Sequence, residues 1–198
     1  MELERLSKVR ILLGNFYQLE VERRGAKMQK VDTTVVDRVM KYLVEPDSKP
    51  WLVLYGTVGT GKTTMMRAIQ LTIQFLYEDQ TDRPTTSSIK ANKLGEMAKK
   101  EPEAFKKAKG CTILYIDDLG FSGEGEINND YGVRRRPIEE IIENRYDRML
   151  ATIFTTNLTI DQIQDRYGER IASRLYEMSM FVPMTGDDLR KNRETLTK

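Results

Sequence analysis

The sequence predicts an α/β fold built on a central parallel sheet, and three observations carry the prediction. Short apolar runs at 51–55, 85–90, 112–116, 152–155 and 180–183 alternate with stretches of helical period, the pattern of strand-helix-strand units. A glycine-rich turn follows the first run directly, and two adjacent acids follow the third. Strand ends of this kind are where open α/β sheets bind ligands.

The elements follow in order from punctuation and hydrophobic period. Leu3, Leu6, Leu13, Phe16 and Tyr17 fall near helical spacing and Gly25 is a plausible stop, so an amphipathic helix is expected over 2–24. A basic linker with Lys27 and Lys30 comes next. The expected organisation is therefore an N-terminal helix and linker at 1–31 and the α/β domain at 32–198. Asp32 suits the N-cap of a second helix carrying Val35, Val36, Val39, Met40 and Leu43, which the turn from Pro46 to Pro50 ends. Further helices are expected over 62–77, over 92–109 with a break near Pro102, over 137–149 with Pro137 in the first turn, and over 159–178.

Composition narrows the chemistry. At 198 residues one compact domain with a short appendage is expected. The charged fraction is 31% and the hydrophobic fraction 39%, which implies a heavily charged surface, and no run approaches the ~20 apolar residues of a membrane span. A net charge of +2 does not announce a nucleic-acid protein, so any basic patch must be local. The single cysteine, Cys111, cannot form an intramolecular disulfide, and no basic-then-apolar signal opens the chain, so the cytoplasm is expected. The chain has no histidine, which excludes Ser-His-Asp and Cys-His catalysis and His-ligated zinc. Chemistry must run on carboxylates, Lys, Arg, hydroxyls and backbone dipoles.

The turn after the first run reads Gly56-Thr57-Val58-Gly59-Thr60-Gly61-Lys62-Thr63-Thr64, a full match to G-x-x-x-x-G-K-[ST] ahead of a helical pattern. Glycines at 56, 59 and 61 let successive N–H groups turn toward one anion, and the helix start adds its positive dipole end. Lys62 is expected to reach the β- and γ-phosphates of a bound nucleotide, and the Thr63 hydroxyl to take one position on Mg²⁺. Hydrolysis also needs a carboxylate that orders the metal and a group that orients water. Asp117 and Asp118 are the candidates, Asp117 for Mg²⁺ and Asp118 for the water. The fourth run ends in Thr155-Thr156-Asn157, where the Asn157 amide is placed to meet the γ-phosphate or the water, although Thr-Asn is also an ordinary helix-capping pair.

In that order, GTVGTGKT, ILYIDDLG, ENRYDRMLATIFTTNLT, YGERIASRLYEM and GDDLR resemble the AAA+ ATPase domain of bacterial helicase loaders of the DnaC/DnaI type, and the IstB transposition ATPases are similar. The resemblance spans residues 50–193 and implies a P-loop NTPase (AAA+) three-layer fold, with 56–64 as Walker A and Asp117-Asp118 as Walker B. By the same resemblance Asn157 stands at sensor I and Arg190 at sensor II. Arg170 and Arg174 lie in the segment that supplies an arginine finger to a neighbouring subunit's ATP, which implies self-assembly with ATP at the subunit interface. The family commonly has Asp-Glu at Walker B, whereas Asp118 is one methylene shorter. Arg170 and Arg174, four residues apart, share a helix face with Glu169 and Glu177 as local ion-pair partners.

Lys90, Lys93, Lys99, Lys100, Lys106, Lys107 and Lys109 stand against Glu96, Glu101 and Glu103 in one stretch, a stripe suited to single-stranded DNA phosphates or to a solvated helix face. The resemblance favours DNA, because loaders insert their DNA-contacting helices between the second and third strands. Arg134, Arg135 and Arg136 follow an acidic, glycine-containing loop at 122–132. Loaders carry a helicase-grappling domain ahead of the ATPase, and here only the helix at 2–24 stands in that place, as a partner hook or packed on its own domain. The expected function is a Mg-ATP-hydrolysing AAA+ protein that contacts single-stranded DNA and assists a replicative helicase as a DnaC-like loader. The alternatives are an IstB-like regulator that binds duplex DNA beside a transposase, and a nucleotide-switched scaffold with little turnover.

Overall fold

The computed structural model describes residues 2–26, 32–121, 128–130, 133–186 and 188. The chain divides into two compact units, one of residues 1–48, 56–83 and 182–198, the other of 49–55 and 84–181.

Most of the first unit's described residues are helical. Helices α1 (Glu2–Arg23), α2 (Thr33–Val44) and α3 (Lys62–Leu76) form it, with α1 packed against both α3 and α2. The buried stripe of α1 runs Val9, Leu13, Tyr17 and Val21 at four-residue spacing, so the helix is seated on its own unit along its length. Phe16 meets Phe75 of α3 edge-on at 6.2 Å, and Arg10 pairs with Asp37 of α2. Asp32 caps α2 as expected, accepting from Thr34 N at 2.9 Å and Val35 N at 3.4 Å. Burial, with the Asp32 charge adding to it, pushes the Tyr17 phenol up to about 12. The linker lysines Lys27 and Lys30 lie outside the described residues.

The second unit holds the sheet apart from Val182 and Pro183, the last two residues of its final strand. Its strands are β1 (Trp51–Tyr55), β2 (Thr86–Lys90), β3 (Ile113–Leu119), β6 (Ala151–Thr156) and β7 (Ser179–Pro183), in the order β2-β3-β6-β1-β7. The β1–β6, β3–β6 and β2–β3 pairs are parallel. Around the sheet stand α4 (Leu94–Lys100), α5 (Pro102–Gly110), α6 (Pro137–Asp147), α7 (Ile160–Tyr167) and α8 (Glu169–Met178). Trp51 anchors the core edge-on to Phe154 at 5.6 Å, its indole N–H donating to Leu150 O at 2.9 Å.

Three features depart from the sequence reading. The helix expected over 159–178 is two helices, because Gly168 at φ 85 leaves the helical region between α7 and α8. Strand β3 runs on to Leu119 instead of stopping at 116, with a register shift against β6 between Ile116 and Leu119. The stretch read as a loop at 122–132 contains β4 (Asn128–Asp130), which pairs antiparallel with β5 (Val133–Arg135) just after it, while 122–127, 131 and 132 lie outside the described residues.

One buried cation ties the second unit together. Arg145 on α6 is fully buried and donates to Ala108 O, Lys109 O and Cys111 O at 3.0–3.1 Å, to Thr152 Oγ1 at 2.8 Å and to Ala151 O at 2.6 Å. It thereby satisfies carbonyls at the end of α5, where a positive charge also meets the negative end of the helix dipole. Replacing it orphans several buried acceptors at once. Arg145→Met is expected to lose about 3 kcal/mol or more of unfolding free energy in a urea titration. Gly14 sits inside α1 with open space where a Cβ would stand, so Gly14→Ala is expected to gain about 0.5–1 kcal/mol in the same measurement.

Candidate active site

The phosphate loop leaves β1 at Tyr55 and runs to the first turn of α3 in the first unit. Gly59 and Gly61 adopt φ 88 and 87, left-handed values that side chains disfavour, and Gly61 is the N-cap of α3. A Cβ on Gly56 would run into the Met184 backbone carbonyl, and one on Gly59 into the Asp188 carboxylate. Within the loop the Thr60 hydroxyl donates to Thr57 O at 2.9 Å. Lys62 opens α3, is buried, and donates through Nζ to Gly56 O at 2.9 Å and Thr57 O at 2.7 Å. Thr63 is half-buried and Thr64 buried. Gly61 brings no side chain to cap the helix, so the amides and dipole of its first turn are arranged for an anion.

The acid pair belongs to the second unit. Asp117 is buried near the end of β3, and Asp118 beside it takes φ 59, one of two non-glycine residues with positive φ among the described residues. Thr155 of β6 meets both: its hydroxyl accepts from Asp118 N at 2.8 Å and donates to Asp117 Oδ1 at 2.6 Å. Thr156 donates from Oγ1 to Leu119 O at 2.7 Å and accepts from Leu158 N at 3.0 Å. Asn157 is exposed immediately beyond the end of β6. The sequence reading singled out Asn157 and passed over both threonines, which a polar pair closing an otherwise apolar run does signal. Asp188 lies in the GDDLR stretch, where the sequence assigns a role to Arg190 alone. Arg190 itself lies outside the described residues.

The two arginines of α8 face α6. Arg170, 70% exposed, pairs with Glu143 at 3.1 Å. Arg174 pairs with the same Glu143 at 3.5 Å and lies over the Tyr146 ring at 4.6 Å, leaving its side chain 16% exposed. Glu177, expected as a partner, instead accepts from the Tyr146 hydroxyl at 2.8 Å. Of the lysines, Lys90, Lys93, Lys99, Lys100, Lys106 and Lys107 are exposed. Glu96 bridges Lys93 and Lys100, and these two cations hold its carboxyl below the usual carboxylate range. Lys109 pairs with Glu140 on α6. Side chains of Arg134 and Arg135 lie outside the described residues. No helix among the described residues is long and apolar enough to cross a membrane.

Solved structures share this fold. DnaI is similar at a TM-score of 0.61 and 20% identity over 87% of this chain and 93% of its own. The DnaC helicase loader is similar at 0.58 and 23% identity over 80% and 94%. A replication initiator DnaA, bound to AMPPCP and single-stranded DNA, is similar at 0.59 and 20% identity over 81% of this chain and 48% of its own. At these identities the likeness is one of fold. No curated protein sequence matches the chain. A family model does match, over residues 52–178, which takes in β2, β3, β6 and all but the first residue of β1, with the phosphate loop and the acid pair; the chain belongs to the AAA family, the ATPase family associated with various cellular activities.

Proposed function

We propose that this protein binds and hydrolyses Mg-ATP, assembles with copies of itself, contacts single-stranded DNA and assists a replicative helicase in the manner of a DnaC-like loader. The observation that carries the reading is the phosphate loop: left-handed Gly59 and Gly61 ahead of Lys62 at the start of α3. Lys62 binds the β- and γ-phosphates, and the loop amides from Gly56 through Thr64, Thr57 and Thr60 included, hold the chain of phosphates. The Thr63 hydroxyl and Asp117 carboxylate are hard oxygen donors of the kind magnesium takes, so these residues fit the ion. When bound, it neutralises charge on the phosphates. Asp118 orients the attacking water and Asn157 presents its amide to the γ-phosphate or that water. Arg170, exposed on α8, is accessible to a neighbouring subunit's ATP; Arg174, held on Tyr146 and Glu143, braces the same face. Arg190 is assigned to nucleotide binding together with the phosphate loop.

The exposed lysines support backbone-tracking DNA contact with little sequence preference, since Phe105 is the one aromatic residue at 90–109 and it is buried. The DnaA of the same fold, solved with a nucleotide analogue and single-stranded DNA, supports both ligands.

Two measurements test this. Lys62→Ala is expected to abolish ATP binding, and Asp118→Asn to keep binding while steady-state phosphate release falls about 100-fold. Undiminished affinity in Lys62→Ala counts against the site. Specific ATPase activity is also expected to rise with protein concentration and with added single-stranded DNA, and Arg170→Ala to flatten the concentration dependence. Constant activity per subunit across the assembly range contradicts the intersubunit role.

A further inference from the structure

The end of β6 carries a residue that the roles above leave unused. Thr155 is fully buried, two residues before the exposed Asn157, and its hydroxyl sits between the two acids of β3. A carboxylate accepts and an amide N–H donates, so the two bonds fix the hydroxyl's orientation: its proton lies on Asp117 Oδ1 at 2.6 Å and a lone pair faces Asp118 N at 2.8 Å. One atom thus holds the side chain of the first acid and the backbone of the second.

That backbone is strained. Asp118 at φ 59 lies in the left-handed region, which costs a non-glycine residue on the order of 1–3 kcal/mol unless its surroundings over-determine it. The neighbouring strand supplies that determination. Pairing of β3 with β6 slips between Ile116 and Leu119, and within the slip the Asp118 N–H finds its acceptor in the Thr155 side chain. On the far side Thr156 holds Leu119 O, which clamps the bulge from both ends.

We propose that Thr155 is the positioning residue of the acid pair, setting the rotamer of Asp117 and the backbone conformation from which Asp118 reaches the water. The proposal rests on the reading of Asp117 and Asp118 as the metal-ordering and water-orienting acids. An aspartate at 118 has one methylene less than glutamate with which to absorb an error in backbone placement. A misplacement of about 1 Å in a reacting group can lower a rate by about 100-fold, so a hydroxyl that fixes this backbone acts on turnover. It touches neither phosphate nor water in this role, and nucleotide affinity, carried by the phosphate loop, is not its province.

The test uses Thr155→Val, which keeps the β-branched shape and removes the hydroxyl, and Thr155→Ser, which keeps the hydroxyl. Turnover is normalised to the stoichiometry of bound ATP analogue, so that a loss of folded protein does not register as a loss of rate. Thr155→Val is expected to lower kcat about 10-fold or more with analogue Kd within about twofold of the parent, and Thr155→Ser to restore most of kcat. Thr155→Ala supplies the same comparison if the valine variant does not fold. A valine or alanine variant turning over at the parent rate overturns the proposal, as does a serine variant no faster than valine. Asp118→Asn runs alongside: if it leaves hydrolysis intact, the acid-pair reading itself fails, whereas loss in Asp118→Asn with parental rates in Thr155→Val sinks this proposal alone.

Discussion

In a parallel sheet, hydrogen bonds fix the height of each strand against the next, and here that register is the constraint on which the placement of the strand-end residues depends. Tyr55 stands opposite Thr156, Leu119 opposite Thr156, and Lys90 opposite Asp117, so β1, β2, β3 and β6 reach their carboxyl ends at one edge of the sheet. The chain enters the phosphate loop one residue after β1 ends, and Asn157 follows β6 at once. A slip of one residue in any pair would turn the strand over and carry its polar end away with it. The apolar runs that hold this register are therefore as much part of the site as the polar residues at their ends. Arg145 contributes from below, tying the end of α5 to Ala151 and Thr152 at the start of β6.

Two stretches, the phosphate loop and the acid pair, leave ordinary backbone geometry. The loop needs left-handed residues and uses glycine at 59 and 61, where the cost is small. The acid pair holds a left-handed residue too, and in the proposed role position 118 supplies a carboxylate that glycine lacks. Strain is accepted there and offset by the Thr155 hydroxyl and the clamp at Leu119. These are two solutions to one problem: glycine where only the backbone matters, a braced aspartate where the side chain matters as well.

Much of this is legible in the amino-acid sequence. The loop carries its own spacing, Asp32 and Pro102 punctuate their helices by local chemistry, and β1 was bounded correctly because a turn motif follows it. What escaped the sequence depends on partners far away in the chain. Asp118 looks like the end of a strand until Thr155, 37 residues on, supplies an acceptor to its amide. Glu169 and Glu177 looked like partners for Arg170 and Arg174 by spacing, yet Glu143 on α6 takes both arginines, because tertiary packing outweighs weak i,i+4 pairs. Nothing local marks Arg145 as buried, since its acceptors come from α5 and β6. The N-terminal helix announced its period but not its seat, and the stripe from Val9 to Val21 became visible only against α3.

Amide hydrogen exchange with and without Mg-AMPPCP tests the central claim most directly. The account predicts slowed exchange at the amides of residues 59–64, where the loop and the first turn of α3 meet the phosphates, and no such slowing in Lys62→Ala. Unchanged exchange across the loop at saturating analogue, or protection that survives Lys62→Ala in full, would contradict it.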